Sequence, residues 1–309
     1  MSIEFHRRML ADRVRHDAFR AALAQAIKPG SSTVADIGAG TGVLAFFARE
    51  LGAREVWLYD PGAALELAEI VAPRNSVDGL RFVHGRSLDV ADPQRVDAVV
   101  AEVLGNFAYE EDVLETLRDA QRFLASEGTL IPASVVQWVA RVVTDPFELG
   151  LRSWRSVDFG LDWSDAERIS RNNMYVYAIE PNDLIEDTAR SWDSLDFRGP
   201  IESRRAGNVQ WQPQRACEIY GFALWWDCTL APGVILSTSP YHARTHWDQI
   251  YLPLLEPLAT EPGDEVALHL ASETGGDEGG IDVRWTARQV RDGRVLADQE
   301  LSIGAGFLG

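Results

Sequence analysis

Cysteine is scarce. The 309-residue chain has two, Cys217 and Cys228, with no C-x-x-C spacing. That excludes a disulfide framework and a cysteine zinc site, no other metal cluster stands out, and a reducing compartment is expected. Long apolar runs are missing too. No stretch reaches membrane-spanning length, and Met1-Ser2-Ile3-Glu4-Phe5-His6-Arg7-Arg8 lacks the apolar segment of a signal peptide. A cytoplasmic protein with no membrane partner is expected. Positive charge is in deficit: 29 basic against 47 acidic residues give a net charge of −18, and Lys28 is the only lysine. Such a balance repels a nucleic-acid backbone and suits a cationic substrate, although it also serves solubility alone. There is no internal repeat and no low-complexity tract. What remains, 46% hydrophobic and 25% charged residues, is ordinary for a soluble globular protein long enough for two domains.

The most informative stretch is Val34-Ala35-Asp36-Ile37-Gly38-Ala39-Gly40-Thr41-Gly42-Val43-Leu44. The apolar run Thr33–Ile37 predicts a buried parallel strand, three alternate glycines predict a tight turn, and Val43–Ala48 predicts a helix. Glycines there let the backbone turn sharply and let a ligand approach without a Cβ in the way, while the following helix offers unpaired N–H groups. Asp36 lies inside the strand end. Asp60 closes the next strand, Glu55–Tyr59, where a carboxylate can hold the two hydroxyls of a nucleoside ribose. The same residues also suit a plain strand–turn–helix unit; the carboxylate at Asp60 tilts the reading to a nucleoside site.

Phe19, Leu23 and Ile27 recur at helical spacing after Met9, Leu10 and Val14, predicting one or two helices before Pro29-Gly30. Strands at Thr33–Ile37, Glu55–Tyr59, Leu80–His84 and Asp97–Glu102 alternate with helices at Ala63–Ile70 and Asp112–Leu124. That alternation predicts a doubly wound α/β sheet with ligands at its carboxyl edge. After Gly128–Pro132 the pattern changes. The runs Val135–Val143, Ile219–Thr229, Glu265–Leu270 and Ile281–Val290 predict a mostly antiparallel β domain, a barrel or a sandwich. The domains are therefore read as 1–132 and 133–309. The segment Ser153–Asp183, with Trp154, Phe159, Trp163, Tyr175 and Tyr177, predicts an arm packed either on another subunit or on its own β domain. Residues 275–280 predict a mobile hairpin tip.

Past the fourth strand, Glu102-Val103-Leu104-Gly105-Asn106-Phe107-Ala108-Tyr109-Glu110-Glu111 places Glu102 and Glu111 nine apart (111 − 102 = 9) across a loop. Two carboxylates at the rim of a nucleoside pocket repel each other unless a cation lies between them. A planar guanidinium with five N–H donors suits that gap, each charge-assisted hydrogen bond contributing roughly 1.5–3 kcal/mol. Two solvated loop acids are the plainer reading; their place at a strand's carboxyl end favours the cation.

Four segments in order resemble the protein arginine methyltransferases: His6–Arg15, Val34–Leu44, Glu102–Glu111, and Ser239-Pro240-Tyr241 followed by Thr245-His246-Trp247-Asp248-Gln249. The resemblance covers nearly the whole chain. It implies a Rossmann-like domain that binds S-adenosylmethionine, then a β-barrel domain with a dimerisation arm at 153–183. It also implies methylation of the guanidinium of arginine, free or within a peptide or protein, by a homodimer. By that resemblance His6 and Arg15 meet the methionine part of the cofactor, Arg15 pairing its carboxylate, and Met9 lies beside the methyl-receiving nitrogen. Asp36, Gly38 and Gly40 form the glycine-turn wall, and Asp60 takes the ribose hydroxyls in place of the family's glutamate. Glu102 and Glu111 clamp the guanidinium. Asp12 and His246 join the domains across the site, either taking up the proton or only fastening. Leu88 stands where the family has an adenine-binding glutamate, Val113 replaces a second methionine, and a tyrosine-bearing lid helix ahead of His6 is not found. The competing expectations are a methyltransferase of the same fold acting on another small nucleophile, and an inactive dimeric scaffold.

Overall fold

The computed structural model describes residues 3–157, 159–185, 188–275 and 280–307. Its first half contains α1 (Ile3–Ala11), α2 (Arg13–Ala26), β1 (Thr33–Ile37), α3 (Val43–Glu50), β2 (Glu55–Asp60), α4 (Ala64–Arg74), β3 (Leu80–His84), β4 (Val96–Ala101), α5 (Val113–Ala120) and β5 (Leu124–Ile131). The five strands form one sheet in the order β3-β2-β1-β4-β5, with every pairing parallel. The chain reverses direction across the sheet between β1 and β4, so a crevice opens beyond their carboxyl ends. The N-terminal helical stretch is broken at Asp12, which is extended (φ −79°, ψ 95°) and caps α2 by accepting the Arg15 N–H at 2.9 Å. An N-cap carboxylate satisfies one of the donors that a helix start leaves unpaired.

All five residues of β1 are buried, as a continuous apolar run in a sheet covered on both faces requires. Gly42 caps α3 in the left-handed region (φ +75°) and offers no side-chain acceptor. Asp36 supplies one from the strand, accepting the Ala45 N–H at 3.0 Å.

The second half contains β6 (Ser134–Val142), α6 (Pro146–Arg152), α7 (Ser164–Arg171), β7 (Tyr175–Tyr177), β8 (Arg190–Asp196), β9 (Arg204–Trp211), β10 (Cys217–Ala231), β11 (Val234–Ser237), β12 (Gln249–Thr260), β13 (Glu265–Thr274), β14 (Ile281–Arg291) and β15 (Arg294–Ser302). The expected β-barrel is not closed among the described residues. One sheet runs β7-β12-β10-β6-β8 with β11 attached to β10, and another runs β15-β14-β13-β9. Bulky aromatics fill the space between them: Trp211 of β9 stacks on Phe222 of β10 at 5.7 Å, and the Trp285 indole donates to the Pro253 carbonyl at 2.8 Å. The three-residue β7 ends the larger sheet at the arm.

The arm packs on its own sheet. Phe147 meets Tyr177 and Tyr251 at 4.5 and 5.0 Å, over a small core that includes Leu151, Ile179 and Trp225. Beneath it lies an ion cluster in which Arg171 donates to Glu148 (2.8 and 2.7 Å), to Glu167 (2.9 Å) and to the Leu254 carbonyl (2.8 Å). Trp154 and Trp163 pair at 6.2 Å and are half-buried, whereas Phe159 and Leu161 stand 78% and 64% exposed. The expected hairpin tip falls largely on 276–279, outside the described residues.

Candidate active site

A cavity of about 250 Å³ lies in the crevice beyond β1 and β4. It is walled by His6 and Met9 of α1, Arg15 of α2, Asp36, the turn Gly38–Thr41, Asp60, Glu102, Val103 and Glu111. Gly38 and Gly40 have φ of +71° and +52°. A Cβ on Gly38 would stand 2.8 Å from Val103, and one on Gly40 would stand 3.4 Å from the His6 ring. Asp60 braces the turn, its two oxygens accepting the Gly40 N–H at 2.8 Å and the Gly62 N–H at 2.6 Å. A carboxylate has about four lone-pair sites, so acceptor capacity is left for hydroxyl groups. Burial holds the His6 imidazole below its ordinary pKa, with Asp60 opposing it. Burial pushes Asp36 from 3.8 up to about 7, against the Ala45 N–H and Arg15.

Arg15 is 3% exposed. Its Nε donates to Glu102 at 2.8 Å and its Nη2 donates to the same oxygen, while Nη1 is buried with no partner among the described residues. An unpaired guanidinium donor in this wall suits an amino-acid carboxylate. With the glycine cradle and the Asp60 carboxylate, the residues present fit S-adenosylmethionine. Leu88 lies in a short turn, Ser87–Asp89, and is not among the residues lining the cavity.

A second cavity, of about 180 Å³, adjoins the first and is lined by Arg8, Leu104, Asn106, His246, Trp247 and Asp248 among others. Met9, Glu102 and Glu111 line both cavities and form the partition between them. The two glutamates are held differently. Glu102 is buried on Arg15 and also accepts the Leu104 N–H at 3.3 Å. Glu111 sits on strained backbone, with φ +57° there and +56° at Asp112. Burial, then Glu102 and Glu110, push its carboxyl from 4.5 up to about 7. A carboxylate so placed gains from a cation.

The loop between the glutamates rests on the second domain. Trp226 and Trp247 donate their indole N–H groups to the carbonyls of Gly105 and Leu104 at 3.0 and 2.8 Å, and the Asp248 N–H meets Asn106 Oδ1 at 3.0 Å. The Tyr109 hydroxyl donates to Asp193 at 2.5 Å, and Arg205 holds the same carboxylate at 2.6 and 2.8 Å. Asp12 spans the junction: its Oδ2 accepts from the His246 backbone N–H at 2.7 Å and lies 2.9 Å from His246 Nδ1. Burial alone would raise Asp12, but hydrogen bonds from His246 and Arg15 outweigh it and hold the carboxyl below its ordinary range. Sequence reading missed Trp226, Asn106 and Asp193, whose partners are distant in the chain, and Arg8, which reaches the site only through the placing of α1.

Cavity, glycine turn and paired carboxylates define a Rossmann-fold, S-adenosylmethionine-dependent methyltransferase joined to a β domain. Residues 136–284 match the arginine methyltransferase oligomerization subdomain, and residues 20–159 match the ribosomal protein L11 methyltransferase family. The chain is 31% identical over 283 residues, 85% of its length and 82% of the relative's, to protein arginine N-methyltransferase 6 of Xenopus tropicalis. It belongs to the protein arginine methyltransferase family. It is also 26% identical over 275 residues, covering 86% and 75% of the two chains, to the arginine N(omega)-methyltransferase of Streptomyces achromogenes subsp. streptozoticus. Its fold matches the Trypanosoma brucei PRMT1 enzyme–prozyme heterotetrameric complex with AdoHcy at TM-score 0.86, 23% identity, and 97% and 98% coverage.

Proposed function

We propose that this chain is an S-adenosylmethionine-dependent N-methyltransferase acting on the guanidinium of arginine, through the residues of the two adjoining cavities. The observation that carries this reading is the partition: Glu102 and Glu111 face both cavities at once. S-adenosylmethionine supplies a methyl carbon made electrophilic by its positively charged sulfur. The protein's task is to hold one guanidinium nitrogen at the partition and to keep the positive charge on the other two. Glu102 and Glu111 do this by accepting hydrogen bonds from those other nitrogens. Arg15 holds Glu102 in place at the partition. His246 takes up the released proton: with Nδ1–H donated to Asp12, its Nε2 is the free acceptor.

The acceptor we favour is free arginine. Arg8 borders the acceptor cavity and makes no ion pair among the described residues. A guanidinium at the rim of a cavity floored by two carboxylates matches an acceptor whose cation and carboxylate lie at opposite ends. The relative from Streptomyces carries a name in keeping with this. An arginine within a peptide, as the name of the Xenopus relative suggests, has no such carboxylate. Labelled cofactor offered to arginine, argininamide and an arginine-rich peptide separates the readings. Arginine is expected to be labelled with a kcat/KM at least tenfold above argininamide, a preference lost in R8A. A better peptide would overturn the choice of acceptor, and label in none of the three would overturn the activity.

We assign residues 1–132 to the cofactor domain and 133–309 to the β domain carrying the arm. Neither nucleic acid nor membrane is a partner in this reading, and the protein is cytoplasmic. No described helix is long and apolar enough to cross a membrane. The exposed Phe159 and Leu161, within the segment matched by the oligomerization subdomain, support a homodimer formed through the arm.

A further inference from the structure

The β domain has a cleft of about 790 Å³ that shares no lining residue with either active-site cavity. Among the described residues, every charged one lining it is an arginine: Arg141 of β6, Arg190 of β8 and Arg215, set among Gln210, Gln212 and Gln214. In a chain of net charge −18, that lining runs against the overall composition. Arg141 is 4% exposed, its guanidinium lies 5.7 Å from the Trp211 ring centroid, and its Nε and Nη1 are buried with no hydrogen-bond partner among the described residues. Burial and then Arg190 act against its charge, with only the Cys217 thiol opposing them, so its pKa is lowered. A buried cation without a counter-ion destabilises a fold, and a ligand that brings one restores the balance.

We propose that this cleft is a second ligand site, for a small multiply charged oxyanion, carboxylate or phosphate. Arg141 supplies the buried charge and free N–H donors, and Trp211 keeps its guanidinium in place. Arg215 and the glutamine amides are polar groups on the same lining that can meet further oxygens. The volume admits a ligand larger than a bare inorganic ion.

Thermal unfolding of the full chain tests this, in citrate and separately in inorganic phosphate, each against chloride at matched ionic strength. A ligand that binds only the folded form raises the melting temperature, by roughly 3 °C or more at about 100-fold excess over its Kd for a chain this size. Citrate alone would mark a carboxylate ligand, and phosphate alone a phosphoryl one. R141M, which removes the buried charge at similar volume, is expected to melt higher than wild type in chloride, to lose the anion response, and to keep arginine methylation unchanged. Calorimetric titration of wild type should show one saturable site, weakened at least tenfold in R141Q. Equal anion responses in wild type and R141M would mean a general salt effect and overturn the proposal. No response in wild type would overturn it as well. A response seen only in E186Q/D187N would mean that the chain's own acids between Ile185 and Thr188 neutralise Arg141, and would also overturn it.

Discussion

At the scale of single residues, Glu102 and Glu111 have the same side chain and different jobs. Glu102 is already paired with Arg15, whereas burial, then the charges of Glu102 and Glu110, raise the pKa of Glu111 to about 7. E111Q is expected to lower kcat/KM for the acceptor about 100-fold, the worth of one or two charge-assisted hydrogen bonds, and to leave cofactor affinity within about twofold. E102Q should lose turnover and also weaken cofactor binding by about tenfold, because Arg15 loses the anion that orients it. Cofactor affinities measured by calorimetry beside kcat/KM check both; equal cofactor affinities in the two variants would show that Arg15 is held by something else. The raised carboxyls also set pH behaviour. Below about 7 Glu111 carries a proton and cannot clamp a cation, so kcat/KM should climb with pH and level off above about 7, a limb that E111Q lacks. Stability runs the other way. Asp36 and Glu111, with ordinary values of 3.8 and 4.5, keep their protons up to about 7 only when folded. The unliganded protein should therefore lose stability as pH rises from about 4 to about 7, and D36N should flatten that loss in denaturant titrations.

At the scale of elements, the glutamate loop and the arm are each held by buried polar groups. The loop between β4 and α5 rests its carbonyls on Trp226 and Trp247, so the two glutamates at its ends lie where the two domains meet. The arm is pinned by Arg171, which is 2% exposed and bound by Glu148, Glu167 and the Leu254 carbonyl. Removing one member of such a cluster strands buried charge. R171A should cost about 3–5 kcal/mol of unfolding free energy, measured by denaturant titration, whereas R171M with E148Q and E167Q should cost much less. How much was legible differs between these elements. The glycine turn and β1 could be read because their signals are local: a short, mostly apolar run, then alternate glycines, which the structure holds at positive φ. That the arm's Trp154 and Trp163 pair with each other was not legible, because periodicity says nothing of two rings packing together. The closed barrel was not legible either way. Alternation predicts strands, and only the inter-sheet packing of Trp211, Phe222 and Trp285 settles which edges pair.

At the scale of the whole molecule, Phe159 and Leu161 are the most exposed large apolar residues of the arm among those described, ahead of Val176. Large exposed apolar groups of this kind mark interaction surfaces. F159D/L161D is expected to convert a homodimer to a monomer in analytical ultracentrifugation without lowering the melting temperature of the isolated chain. A dimer that persists would place the interface elsewhere.

The sequence by itself determined the parallel sheet, the cofactor turn, the carboxylate at Asp60 and the two glutamates at the end of β4, because strands, turns and strand ends are written in runs of a few residues. Tertiary structure alone decided that Glu102 leans on Arg15, 87 positions away, that Trp226 and Asp248 reach loop partners 121 and 142 positions away, and that two guanidinium nitrogens of Arg141 are buried with no partner among the described residues. Such contacts depend on how two domains and two sheets pack, and no window of sequence contains both partners.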